Sequence, residues 1–435
     1  MERTLQEALR YRWVILLILS LQYLFGYFHR VAPAVVAQDL VSAFSISATS
    51  LGVLASGYFY PYAIMQIPVG LLADSWGPRK TITFFTLLAA LGAIAFGLSP
   101  NFGMATASRV IVGLGLSGIF VPAMKALSVW FKPGEYARIS GILMAAGGLG
   151  WLSAAAPLAF ISSTFGWRAG FVISGVITAA LSILTWFLIF DKPEKKGYPP
   201  IVESVSPQGT AAKIGLWAGI RLVYAYPRFW PLAVWCFCNG SIIFSFCGLW
   251  AGPYLSDMHG LSRSAIGNIL SMVAVGLVVG SPLLGYLSDK VFKSRKKVLF
   301  GCSLITAIEW ALFYVYFREL SLPVLYLFFL MIGVCIGASV IVAFTATKEL
   351  FPPEIAGTSI SCVNLFGFVG GVIYQPLIGY FMDVAGKVDG KYLPQGYRAT
   401  FALLFATSVV FFLSTCFIKE RPKGSHAIKT TAKEG

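Results

Sequence analysis

Arg30 has the clearest chemical potential in this sequence. It lies inside the first long apolar run, with Tyr23 and Tyr27 before it at i−7 and i−3. In a helix these three share one face. A planar guanidinium flanked by phenolic hydroxyls suits a carboxylate or phosphate, because its fork binds two oxygens at once. A charge within a bilayer is costly unless it meets a partner, water or a ligand. The competing reading pairs Arg30 internally with Asp39, or lets it snorkel outward.

Further residues could complete such a site. His29 titrates near neutral pH and is the candidate proton carrier. Neighbouring helix residues point about 100° apart, so His29 and Arg30 do not share one face squarely. Arg109 is a second cation inside an apolar run and is assigned to coupling. Asn239, Phe246 and Trp250 form one helical stripe, and Asn364, Phe368 and Gln375 form another. Tyr58 and Tyr62 stand at i, i+4. The candidate substrate contacts are therefore Arg30, Tyr23, Tyr27, Tyr58, Tyr62, Asn239, Trp250, Asn364 and Gln375. Glu309, in the middle of an apolar run, receives no role.

A third constellation is a charged hinge. Gly70–Lys80 reads GLLADSWGPRK, with Asp74 before a turn at Gly77 and with Arg79 and Lys80 after it. A related stretch, Gly285-Tyr-Leu-Ser-Asp289 followed by basic residues, returns 215 residues later. A carboxylate held near cations and helix N-termini makes a latch that breaks when two bodies rock. The plainer reading is that the cations only keep the loop inside the cell.

The elements that position these residues are membrane helices. The chain has 435 residues, 57% hydrophobic and 12% charged, too few charges to cover a soluble fold of this size. A spanning helix needs about 20 apolar residues. Twelve runs qualify, at about 13–37, 50–73, 80–99, 102–125, 139–161, 168–190, 229–253, 264–288, 297–317, 321–346, 355–383 and 398–418. The reading is an all-α integral membrane protein of two pseudo-symmetric six-helix bundles, 1–190 and 229–418. A linker spans 191–228 and a cytoplasmic tail 419–435. The first run is too long for a signal peptide and lacks a cleavage site.

The net charge of +15 resides in short gaps between apolar runs, so no nucleic-acid partner is expected. Of the 33 Lys and Arg residues, six (Arg168, Arg263, Arg318, Lys387, Lys391 and Arg398) fall in outer loops when the N-terminus is placed inside. That bias puts both termini in the cytoplasm. The seven cysteines fall in apolar runs of the second half, without disulfide or metal spacing. No nucleophile elbow, zinc set or phosphate loop is present, so neither an enzyme nor a cofactor is expected.

The GLLADSWGPRK hinge resembles the loop 2–3 signature of the major facilitator superfamily. Arg109-Val-Ile-Val-Gly113-Leu-Gly115 resembles its helix 4 motif. The resemblance covers nearly the whole chain and implies two bundles around one central site that opens alternately to each side. It makes helices 1, 2, 4, 5, 7, 8, 10 and 11 the cavity helices. His29-Arg30-Val-Ala-Pro33 resembles helix 1 of its organic-anion carriers, where an Arg binds the anion. Organophosphate exchangers pair that Arg with a second in helix 7, where Ser245 stands here. The proton-coupling Glu of helix 4 is absent after Gly115.

The expected function is secondary transport of small organic anions, carboxylates with amino acids or small peptides next. The alternative is a proton-driven multidrug or metabolite exporter, disfavoured by the scarcity of acids in the cavity helices. A membrane sensor ranks third. The partners are an anionic small molecule, the lipid bilayer and a coupling ion, proton or sodium, with the protein a monomer. A bacterial inner membrane is expected.

Overall fold

The computed structural model describes residues 4–201, 216–352 and 355–420. Side chains of a few residues inside helices, Asp74 among them, lie outside the described set.

Twelve spans cross the molecule. In chain order they are α1 (Leu5–Val35), α2 (Ala48–Ser56 continuing as Phe59–Ser75), α3 (Pro78–Gly97), α4 (Phe102–Ser117 continuing as Phe120–Trp130), α5 (Pro133–Phe165) and α6 (Trp167–Leu188). The second set is α7 (Pro227–His259), α8 (Arg263–Val291), α9 (Arg295–Tyr316), α10 (Leu322–Leu350), α11 (Ala356–Ala385) and α12 (Pro394–Phe417). Eleven are long and apolar enough to cross a membrane as they stand, and α2, bent sharply against the short helix Ala37–Phe44, makes the twelfth. Large apolar side chains such as Ile64, Phe187, Val315 and Val384 face outward, as lipid-exposed residues must.

Helix starts follow from local chemistry. Thr4 and Glu7 form a reciprocal capping box that opens α1 well before the apolar run begins. The side chains of Ser47, Asn101, Ser262 and Ser294 accept the first free amides of α2, α4, α8 and α9. Pro78 supplies the first turn of α3. The tail of the linker folds into a helix over Leu216–Ala225, while residues 202–215 lie outside the described set.

Three helices are not plain α-helix. Ile243–Trp250 in α7, Leu287–Val291 in α8 and Gly333–Ala338 in α10 are π-helical. A π segment inserts extra residues per turn and rotates everything beyond it. This break of the 3.6 period overturns the expected α7 stripe. Phe244 rotates to the centre, and Phe246 packs instead against Trp310 and Phe329.

The molecule has two faces. The hinge face holds the turn at Gly77, and the far face lies opposite. One apolar cluster, including Val31, Leu51, Trp250 and Met382, crosses between the bundles towards the far face. Two others belong almost wholly to one bundle each, Phe368 being the visitor in the first bundle's cluster. The bundles meet through α2–α11 and α5–α8. A Cβ on Gly52 would stand 2.5 Å from the Gln375 carbonyl, and one on Gly379 would stand 2.3 Å from that of Ala48. Small residues here let two backbones touch. In α5, a Cβ on Gly150 would stand 2.0 Å from the Leu24 carbonyl, and Gly147 makes room for the Tyr23 and Tyr27 rings. Gly141 faces open space and does not share that role.

Candidate functional site

A cavity of about 110 Å³ lies between the bundles, lined from α1, α2, α4, α5, α7, α8, α10 and α11. Those are the eight helices expected to border it. Arg30 projects into it from α1 and is 8% exposed. Its Nε donates to the Tyr58 hydroxyl at 3.3 Å. The guanidinium carbon lies 4.5 Å from the Tyr27 ring centre, 5.2 Å from Tyr62, 5.5 Å from Phe368 and 5.6 Å from Phe244. Aromatic faces therefore surround the cation, two of them from the second bundle. Such faces attract a cation but supply no negative charge to balance it. Among the described residues no carboxylate pairs with Arg30. Asp39, the expected internal partner, pairs with Arg263 at 2.5 Å.

Six of the nine expected substrate contacts line this cavity: Arg30, Tyr23, Tyr27, Tyr62, Asn239 and Asn364. Tyr58 lies just beneath, fully buried, its hydroxyl on Arg30 and its ring 5.2 Å from the Arg109 guanidinium. Trp250 and Gln375 are elsewhere. The indole of Trp250 donates to the Gln375 carbonyl at 3.0 Å, and the Gln375 amide donates to the Phe244 carbonyl at 2.9 Å. The π segment of α7 turns Trp250 off the cavity and commits both residues to internal bonds. Asn239 also gives one amide hydrogen to the Ile336 carbonyl at 2.8 Å, which leaves its oxygen and its other amide hydrogen for a ligand.

The residues that sequence reasoning missed are mostly apolar. They include Trp151, Ile243, Phe244, Leu277, Ile341 and Phe344. In a membrane protein an apolar residue carries no signal of its own, because lipid, core and cavity wall all accept it.

The two residues flanking this centre are structural in geometry. His29 meets the Thr178 hydroxyl at 3.0 Å on α6 and packs among Phe25 and Phe28, away from the cavity. Arg109 donates from Nη1 to the His29 carbonyl at 2.9 Å and ties α4 to α1. Ser245, which matches Arg30 across the repeat, bonds back to Ser241 of its own helix.

The hinge is held within one bundle. Asp191, just past α6, accepts the Arg79 amide at 2.9 Å and the Lys195 ammonium at 2.7 Å. Gly77 has φ +87°, and a Cβ there would strike the Asp191 carboxylate at 2.6 Å. Arg79 Nε donates to the Trp186 carbonyl at 2.7 Å. Lys80 is exposed, and the side chain of Asp74 lies outside the described residues. The second bundle repeats the device. Glu420, just past α12, accepts the Lys296 amide at 2.9 Å and the Ser294 hydroxyl at 2.8 Å, while Lys296 Nζ donates to the Cys416 carbonyl at 2.8 Å. Asp289 pairs with Arg295, which also holds Glu349 at 3.0 Å. The sequence reading placed Asp191 and Glu420 in the linker and the tail and gave them no part. The signal was their position, one acid directly after the last helix of each half.

Among the described residues, the polar bonds between bundles lie at the far face. Asp383 on α11 accepts the backbone amides of Ala48 and Thr49 on α2, both at 2.8 Å. Gln38 donates to Asp257 at 3.3 Å, and Arg263 reaches Asp39. At the hinge face the described ion pairs join residues of the same bundle, Arg12 with Glu135 and Arg295 with Asp289 and Glu349.

Comparisons with known proteins agree with this architecture. A model of the Major Facilitator Superfamily matches residues 15–262 and 248–434. The uncharacterized transporter YybO of Bacillus subtilis is 26% identical over 421 residues, covering 92% of this chain and 94% of that protein. A probable sulfoacetate transporter, SauU, of Cupriavidus necator is 23% identical, covering 90% and 92%. The hexuronate transporter of Bacillus subtilis is 25% identical, covering 95% and 97%. Among solved structures, a bacterial homolog of the human lysosomal transporter Spinster, inward-facing and unoccupied, superposes with TM-score 0.77 at 20% identity, covering 94% of this chain and 98% of that one.

Proposed function

The chain belongs to the major facilitator superfamily, and we propose that it is a secondary transporter of small organic anions with Arg30 as the anion-binding residue. The observation that carries this reading is the buried guanidinium of Arg30, facing the cavity between the bundles without a carboxylate partner among the described residues. A cation so placed is most stable when an anion arrives to share its donors. Tyr23, Tyr27 and Tyr62 supply hydroxyls around it, and Asn239 and Asn364 supply amide groups opposite. Two relatives named for hexuronate and sulfoacetate support an acidic cargo. Among the described residues no acidic side chain lines the cavity, which disfavours a cationic drug as cargo.

Transport proceeds by alternating access. The cation bias supports a cytoplasmic place for both termini and the hinge, and the bacterial relatives support an inner membrane with the far face outside it. The bonds from Asp383 and Arg263 then close the outer side, and the described state is the inward-facing one. Reversal requires those bonds to break and the hinge face to close, with Asp74, Arg79, Lys80 and Asp289 at that gate. His29 is bonded to Thr178 and is not among the lining residues, which supports a coupling ion acting elsewhere. One chain holds a complete cavity, so a monomer suffices.

The test is uptake and counterflow in proteoliposomes with a panel of labelled organic acids. The reading requires saturable flux of at least one acid and its loss in Arg30→Ala. Unchanged transport of every recognised acid by Arg30→Ala would overturn it.

A further inference from the structure

The cavity is divided by bundle. The first bundle contributes the charged and phenolic groups, Arg30 with Tyr23, Tyr27 and Tyr62, beside Phe120, Met144 and Trp151. The second contributes a wall of Ile243, Phe244, Leu277, Ile341, Phe344 and Phe368, relieved only by Asn239 and Asn364. Asn239 gives one amide hydrogen to the Ile336 carbonyl, which leaves its oxygen and one further hydrogen for a ligand. The other buried guanidinium, Arg109, faces the His29 carbonyl and does not line the space. Phe244 and Phe368 lie 5.5 Å apart with ring planes 6° from parallel and cover Arg30 from the second bundle's side.

We propose that the cargo is a monoanion with an apolar body, its acid group on Arg30 and its carbon skeleton against the phenylalanine wall. This rests on the reading of Arg30 as the anion site and narrows it. A second carboxylate would find no second cation among the lining residues and would be desolvated unpaired. A polyhydroxylated skeleton would need more donors and acceptors than two asparagines provide on that side, and hydroxyls left unpaired oppose binding. A phenyl or short alkyl body needs none, and a flat ring extends the existing stack of Phe244 and Phe368. The inference separates this carrier from its relative named for hexuronate, a hydroxylated acid.

The experiment is calorimetric titration of the purified full-length carrier with four probes: benzenesulfonate, 3-phenylpropionate, D-glucuronate and D-glucarate. Binding avoids the passive leak of neutral carboxylic acids across vesicles. The two apolar monoanions are expected to bind at least about tenfold more tightly than D-glucuronate, and D-glucarate weakest. Phe368→Asn is expected to narrow that gap about tenfold, and Ile341→Asn serves if the first variant does not fold. Binding of D-glucuronate or D-glucarate at equal or higher affinity, still lost in Arg30→Ala, overturns the apolar-body proposal and leaves the anion reading intact. Binding of all probes unaffected by Arg30→Ala, or of none by the intact carrier, overturns both.

Discussion

Asp383 and Thr49 join the two bundles through one carboxylate. Oδ2 of Asp383 accepts the Thr49 amide at 2.8 Å and the Thr49 hydroxyl at 2.5 Å, while Oδ1 takes the Ala48 amide. The acid of one bundle thus caps the N-terminus of α2 in the other, where the helix dipole also favours negative charge. Asp383→Ala removes charge-assisted bonds worth about 1.5–3 kcal/mol, so the population closed at the far face is expected to fall about tenfold or more. Spin labels attached at Ser45 and Asp389, in a Cys416→Ser background, measure this as a longer inter-bundle distance. An unchanged distance distribution would show that the cap does not hold the gate.

Tyr58 sits under Arg30 and beside Arg109. Tyr58→Phe keeps the ring and deletes only the hydroxyl that receives Arg30 Nε. The expected result is a folded carrier whose KM for its best acid rises several-fold, in line with a net hydrogen bond of about 1 kcal/mol. Transport kinetics in proteoliposomes check it, and a large fall in thermal stability would point to a packing role instead.

His29 is bonded to Thr178 and enclosed by rings. His29→Gln is expected to leave the pH profile of transport unchanged while lowering thermal stability modestly. A flattened pH profile would make His29 the coupling group.

Gly240 and Gly141 are glycines in helices with opposite surroundings. A Cβ at Gly240 would lie 1.9 Å from the Gly367 carbonyl at the α7–α11 crossing, whereas one at Gly141 meets nothing within 4 Å. Gly240→Ala is expected to destabilise by about 1–3 kcal/mol or to misassemble, as overpacked cores do. Gly141→Ala is expected to be neutral or slightly stabilising, through the better helix propensity of alanine. Fluorescence-detected unfolding of the two variants in detergent compares them directly.

Glu135 opens α5 at the hinge face and receives both arms of the Arg12 guanidinium at 2.8 and 3.0 Å. That bond, with help from the Lys132 amide, holds its carboxyl below the ordinary value of 4.5. A depressed value stabilises the fold above the unfolded pKa, and the gain is lost as pH falls through the lower, folded one. The pair is partly exposed, so the effect is screened to below about 1 kcal/mol. Unfolding temperature is expected to drop more on acidification below about pH 4.5 in the parent than in Glu135→Gln. Equal drops would show that the pair contributes nothing.

The spans were legible because lipid imposes a length and composition that no soluble helix needs, and the cavity helices followed from the family resemblance. Arg30 stood out because a guanidinium in an apolar run requires an explanation. The α7 stripe misled, since its spacing assumed 3.6 residues per turn and Ile243–Trp250 winds more loosely. Trp250 was therefore placed in the cavity and Phe244 overlooked. The apolar wall carried no signal for a simpler reason: phenylalanine looks the same facing lipid, core or cargo.

The paired clasps of Asp191 on α3 and Glu420 on α9 make each half self-sufficient. Each bundle binds the segment leaving its own sixth helix back onto its third helix, so both clasps close inside one half. Two co-expressed halves, divided between residues 201 and 216, are expected to co-purify through the α2–α11 and α5–α8 seams, as two interlocking gears mesh without a shared axle.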